Sequence, residues 1–117
     1  MNYSARKTYV TCDRPTIDRW SDYLNGHLDE GRLSLSQEGV RHELWWVGQD
    51  DGGLFLIGAM DLDDYEKALA VFRASTLSVD QVHREFMKHW GPRVEIEIDR
   101  AAAPRFPDCE LLIDLKP

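Results

Sequence analysis

The chain has 117 residues, 43% hydrophobic and 30% charged, with 14 basic and 21 acidic side chains and a formal net charge of -7. That length supports one domain with one core over residues 1–117, and the apolar content excludes the low-hydrophobicity, high-charge signature of disorder. The negative charge and scattered basic residues argue against nucleic acid and against anionic membrane surfaces as partners. No apolar run approaches the ~20 residues of a membrane span, nor signal-peptide length between Met1 and Cys12, so a cytoplasmic protein is expected.

Tyr3 to Cys12 alternates, with β-favouring Tyr9, Val10 and Thr11, and is stopped by Asp13, Arg14 and Pro15, which predicts a first strand. From Thr16 the period changes to Ile17, Trp20, Leu24, Leu28 and Leu35. This predicts one long helix from about Pro15 toward Gln37, weakened by Gly26 and Gly31 and stopped at Gly39. Arg41 to Val47 and Leu54 to Leu62 form a predicted hairpin around turn residues between Gly48 and Gly53. Asp63 and Asp64 open a short helix with a Tyr65, Ala68, Leu69, Phe72 stripe, ending near Ser75. Ser78 and Gln81 have capping-box spacing, predicting a further helix that carries Val79, Val82, His83, Phe86 and Trp90 on one face until Gly91-Pro92. Val94 to Asp99 alternates as a half-exposed strand, Ala101 to Pro107 reads as a loop, and Cys109 to Leu115 as a final strand.

This order makes an α+β fold, a ferredoxin-like antiparallel sheet with helices packed on one face. Both hairpin strands are apolar on both faces: Leu54, Leu56 and Met60 point one way, Phe55, Ile57 and Ala59 the other, and Trp45 and Trp46 diverge. Helices cover one face, so the other is expected to be buried in a homodimer joined through the sheet, the other reading being a carboxy-terminal segment folded over it. The last two strands are expected to divide, one pairing with the parent sheet and one with an edge of the partner. Cys12 and Cys109 are too few for a disulfide framework and read as small buried hydrophobes in strands. A bridge between them requires those strands to be neighbours.

The run Glu38-Gly39-Val40-Arg41-His42-Glu43 leading into an aromatic strand, with Asp80-x-x-His83 at the last helix, resembles an uncharacterised bacterial family of the dimeric α+β-barrel, ferredoxin-like superfamily. The resemblance covers most of Tyr3 to Leu115 and implies a fold and a dimer. More distantly, Arg6 to Trp20 and Val40 to Asp61 are similar to the strand, helix and hairpin of rhamnose mutarotases. That family's helix tyrosine and histidine fall at Trp20 and Leu24, and its tandem tryptophans near His83 and Arg84, so its sugar chemistry does not carry over.

His83 lies within a stripe that faces the sheet, where its proton equilibrium is open to tuning, and Asp80, one helical step earlier, is placed to orient the ring or to favour the helix amino terminus. Glu43 shares a strand face with Trp45 and Val47. A carboxylate there is desolvated and its pKa raised toward that of a general base, unless the strand is an edge on which the charge discourages aggregation. His42 points to the opposite face. His83 and Glu43 are therefore the candidate catalytic groups, with Trp45, Trp20, Trp90 and Asp80 as ligand-binding walls, if the helices cover the Glu43 face. Leu44 and Trp46 make the opposite face equally apolar, so periodicity leaves that choice even. His27, His83 and His89 lack the i, i+4 spacing of a zinc site, and neither metal nor cofactor is expected. The functional expectation is small-molecule binding between sheet and helices, in its sharper form a cofactor-free isomerase-like or oxygenase-like enzyme. The alternative is a non-catalytic dimeric interaction or stress-response module whose buried polar groups are structural.

Overall fold

Alternation at the amino terminus produces β1 (Asn2–Val10), and Asp13 then caps α1 (Arg14–Asn25) by accepting the Thr16 N–H, with Pro15 in the first turn. The computed structural model describes residues 2–99 and 105–117. The single long helix expected after β1 is two: α1 ends at Gly26, and α2 (Leu28–Glu38) restarts after His27. Gly26 is a poor helix interior, and the break lets α1 seat Ile17 and Trp20, and α2 seat Leu35, on different parts of a twisted sheet. Gly39, at φ 75°, ends α2 in the left-handed conformation that glycine adopts without steric cost.

The hairpin is β2 (Val40–Asp50) and β3 (Gly53–Leu62), turned by Asp51-Gly52. Asp64 caps α3 (Tyr65–Ala74) by accepting the Lys67 N–H. The last helix, α4 (Ser78–Phe86), departs from the expected capping box: its N-cap is Leu77, and the Ser78 hydroxyl instead accepts from Tyr23. Glu30 of α2 accepts the Val79 N–H, so the first turn of α4 is satisfied by a tertiary partner. A 3₁₀ turn, Met87–His89, follows, and Trp90, Gly91 and Pro92 already belong to β4 (Trp90–Asp99), beyond the helix that was expected to reach them. The chain closes with β5 (Glu110–Leu115); the expected loop 101–107 lies mostly outside the described residues.

The strands form one five-stranded antiparallel sheet in the order β4-β1-β3-β2-β5, a ferredoxin-like β4-β1-β3-β2 core with a fifth strand on its β2 edge. Both carboxy-terminal strands pair within their own chain, β4 with β1 and β5 with β2, where an exchange with a partner's edge was expected. Cys12 lies just past β1 against the helix-side core, and Cys109 just before β5 against the open face. Neither sits in a strand, both are free, and β3 and β2 separate β1 from β5, which removes the condition for a bridge.

The helices cover the face bearing Trp45, Val47 and Leu56, which pack with Ile17, Trp20, Phe86 and Ile113. The opposite face carries Tyr3, Ala5, Leu44, Trp46, Phe55, Ile57, Ala59 and Ile98. It is not bare: Phe106 and Cys109, in the connection from β4 to β5, pack onto it, with Phe106 edge-on to Trp46 at 4.9 Å. Trp46 and Leu44 are each only 4% exposed as a result. The second of the two readings of this face, a carboxy-terminal segment folded over it, describes its centre. Val94 and Leu111, at its two edges, stay 58% and 48% exposed.

Candidate functional site

Because the helices lie on the Glu43 face, a cavity of about 160 Å³ opens between sheet and helices. That is near the ~150 Å³ of an engineered cavity that admits benzene. Its floor includes Arg6 and Thr8 of β1, Glu43 and Trp45 of β2, Gly58 of β3 and Trp90 of β4. Its roof includes Ser34 and Glu38 of α2, Tyr65 and Phe72 of α3, and Asp80 and His83 of α4. Gly58 stands opposite Trp45 in the ladder, and a Cβ there would lie 2.6 Å from the indole, so the glycine is what lets Trp45 lie across β3.

Of the six residues expected to form the site, five line this one cavity: Glu43, Trp45, Asp80, His83 and Trp90. Trp20 is one layer behind, 2% exposed and stacked on Phe86 at 4.6 Å. It meets the cavity through His83. Trp20 Nε1 donates to His83 Nδ1 at 3.0 Å, and since an indole N–H can only donate, Nδ1 must carry a lone pair. His83 is thereby fixed as the neutral tautomer with its proton on Nε2. Burial acts in the same direction and lowers its pKa to about 4, with the Arg84 charge contributing less. The proton equilibrium that the position leaves open to tuning is thus tuned downward, and near neutral pH the imidazole is a neutral hydrogen-bond donor. Rings surround it: Trp20 and Trp45 at 5.5 Å, Phe72 at 5.3 Å and Trp90 at 5.6 Å. No acceptor for Nε2–H occurs among the described residues, and the Trp90 Nε1–H is buried without a partner there too.

Asp80 makes no hydrogen bond to His83. It accepts from Ser34 Oγ at 2.7 and 2.9 Å and from Ser75 Oγ at 2.5 Å, bonds that tie α4 to α2 and to the end of α3. Glu43 accepts from Trp45 Nε1 at 2.8 Å through Oε1. Burial raises its pKa, the Trp45 bond opposes the rise, and Asp80 adds to it. The alternative of an edge-strand glutamate falls away, because β5 covers the outer side of β2.

Sequence reasoning passed over Glu38 as a site residue. Its Oε1 lies 2.7 Å from Ser34 Oγ, the same hydroxyl that meets Asp80. One hydroxyl carries one proton, so it donates to one carboxyl and must accept from the other. The Glu38-Ser34-Asp80 chain therefore holds a carboxyl proton. Glu38 is the group that keeps it: burial pushes its pKa up to about 8, with repulsion from Glu43 and Asp80 adding to the rise and the Ser34 bond opposing it. Ser34 and Glu38 are one turn apart, and with Gly31 they make a small, polar stripe on α2 that faces inward; that spacing was the available signal. Arg6 was also unread as a site residue: it lines the floor with its guanidinium 4.0 Å from the Tyr65 ring centre. Among the described residues no group of three or more His, Cys, Asp or Glu side chains is arranged to hold a metal ion.

Strand order and cavity define an antiparallel α+β protein of ferredoxin-like type with a partly open, largely apolar chamber into which a few polar groups converge. The chain belongs to a family of unknown function, DUF6176, whose model matches residues 12–101, from just after β1 through β4. No curated protein and no solved structure gives a significant match. No helix among the described residues is long and apolar enough to cross a membrane.

Proposed function

We propose that the chamber binds a small molecule and acts on it by proton transfer without a cofactor, an isomerase-like activity with Glu43 as base and His83 as hydrogen-bond donor. The observation that carries the reading is a partly open cavity on which the His83 ring, whose Nε2–H has no acceptor among the described residues, accompanies the carboxyls of Glu43 and Glu38. A donor kept only for structure is normally satisfied by the protein, and no described residue satisfies this one. Trp45 and Trp90 serve as walls, while Asp80 and Trp20 position Ser34 and His83. The volume suits a ligand of about the size of benzene. The satisfied bonds of Asp80 favour the alternative of a non-catalytic module only for that residue.

The indole signals give a direct test. Mixtures of small metabolites should shift the Trp45 and Trp90 indole N–H resonances and leave that of Trp46, on the opposite face, unmoved. If no mixture moves Trp45 or Trp90, the chamber is structural and the non-catalytic reading stands.

Association through the sheet face belongs to the same proposal. Its support is the exposed Val94 and Leu111 at the two edges of that face, together with the resemblance to dimeric α+β barrels. A specific interface would bury about 1,200 Å² or more, with Phe106 inside it. Light scattering at micromolar concentration should then give twice the 13.5 kDa chain mass. A monomer mass means that the segment bearing Phe106 is cover enough for the face.

A further inference from the structure

We propose that the substrate is a small α-hydroxy carbonyl compound and that the chamber interconverts its carbonyl isomers through an enediol, with His83 Nε2–H holding the substrate oxygen and Glu43 moving the carbon-bound proton. This rests on the reading of the chamber as a ligand site and adds the class of substrate and the reaction.

Three features of the geometry lead there. The Trp20 bond fixes His83 as a neutral donor, so the group facing the ligand offers a proton to hydrogen-bond and has no lone pair with which to abstract one. A neutral imidazole suits a carbonyl oxygen on its way to an enolate: its N–H polarises the carbonyl and stabilises the developing charge. Glu43 spends Oε1 on Trp45, which fixes the carboxyl and leaves Oε2 for chemistry. Across the cavity the Glu38-Ser34-Asp80 chain stores one carboxyl proton.

The proton count closes. Glu43 carboxylate takes a hydrogen from the carbon beside the carbonyl; that C–H pair becomes the new C=C bond, and the carbonyl π pair moves onto oxygen, where His83 Nε2–H meets it. Glu38 gives its proton to that oxygen and recovers one from the neighbouring hydroxyl, whose electrons re-form a carbonyl there. Glu43 returns its proton to the carbon that was first the carbonyl. One C–H and one O–H have exchanged places, nothing is oxidised overall, and no co-reactant is consumed. With the proton returned to its first carbon, the same steps exchange hydrogen with solvent.

Hydroxyacetone in deuterated buffer is the probe, followed by proton NMR for loss of the hydrogens beside the carbonyl, with parallel indole spectra. Wild type should exchange them faster than buffer, and Glu43→Gln, which keeps the Trp45 bond, should slow exchange by about 10²-fold or more. Glu43→Asp, which keeps the charge one methylene short, should be intermediate. His83→Leu should lose most of the exchange and His83→Gln, whose amide N–H replaces the donor, should recover part. Equal rates for wild type and Glu43→Gln overturn the proposal. Shifts of the Trp45 and Trp90 indoles without exchange overturn enolisation and leave the chamber a binding site. Silence in both overturns enolisation, and the broader ligand reading fails as well only if the metabolite mixtures are also silent.

Discussion

Glu38→Gln should match wild type in stability near pH 4.5 and exceed it by about 4 kcal/mol at pH 8 and above. The carboxyl titrates at 4.5 in an unperturbed chain and at about 8 in the folded protein. At 1.36 kcal/mol per pKa unit, and allowing for the part of the group that water reaches, that difference gives the ~4 kcal/mol. Between the two values the folded state keeps a proton that the unfolded state has released. Stability from Glu38 is therefore whole below pH 4.5 and is lost as pH rises to 8. His83 works in the opposite sense. Its pKa falls from 6.5 to about 4 on folding, so its contribution is whole above 6.5 and is lost as pH falls toward 4. The gain from His83 opposes the loss from Glu38 between 4.5 and 6.5, and Glu43, whose pKa burial also raises from 4.5, adds a further loss from the same point; above 6.5 only the losses remain. Wild type should thus change least across the first window and fall most steeply across the second. Glutamine carries an amide N–H where protonated Glu38 carries its O–H, so it keeps the bond to Ser34 without a charge to bury. Urea unfolding at pH 5, 6.5 and 8 measures each slope. A wild type that gains stability from 6.5 to 8, or a Glu38→Gln protein weaker than wild type at pH 8, contradicts the buried proton.

Local periodicity carried much of this fold, and its failures have physical causes. Strand β1 and the α3 stripe followed from alternation and helical spacing, and β2 and β3 from β-favouring aromatic and branched runs around a turn, because each signal lies within ten or so residues. The face the helices cover could not be read, since Leu44 and Trp46 match Trp45 and Val47 in apolarity. What decides it is non-local: where α1 to α4 pack, and the return of Phe106 across the other side. The break at Gly26 was visible as a weakness, but its completion depends on α1 and α2 seating on different parts of the sheet. The cap of α4 was misread because Glu30, distant in sequence, serves its first turn and frees Ser78 for Tyr23. In the chamber, period alone put Glu43 and Trp45 on one strand face and His83 on the helix stripe toward the sheet, and helix packing decided that they meet. Glu38 showed only in its one-turn spacing from Ser34, a weak signal because a glutamate closing a helix ordinarily faces water; its burial comes from Ser34 and Asp80, on two different helices.

His83→Leu should destabilise the protein by about 2–3 kcal/mol, and most of that loss should vanish when Trp20 is changed to phenylalanine in the same chain. Leucine leaves the Trp20 indole N–H, in a side chain 2% exposed, with no acceptor, and an orphaned buried donor costs roughly 1–3 kcal/mol. Lost ring contacts with Trp45, Phe72 and Trp90 add to it. Phenylalanine at position 20 removes the orphan itself, so the double variant should lie above the sum of the singles by about 1–2 kcal/mol, the size of one buried hydrogen bond with its desolvation. His83→Gln should stay near wild type, since its amide oxygen accepts from Trp20 while its N–H takes the place of Nε2–H. Nitrogen-15 correlation of the ring should show the proton on Nε2 at neutral pH in wild type, and tautomers in exchange once Trp20 is phenylalanine. Additive losses in the cycle, or a proton found on Nδ1, would remove the hydrogen bond that makes His83 a donor. If the cycle is coupled and the tautomer is as expected, Trp20, buried and out of reach of any ligand, determines which imidazole nitrogen a ligand can meet.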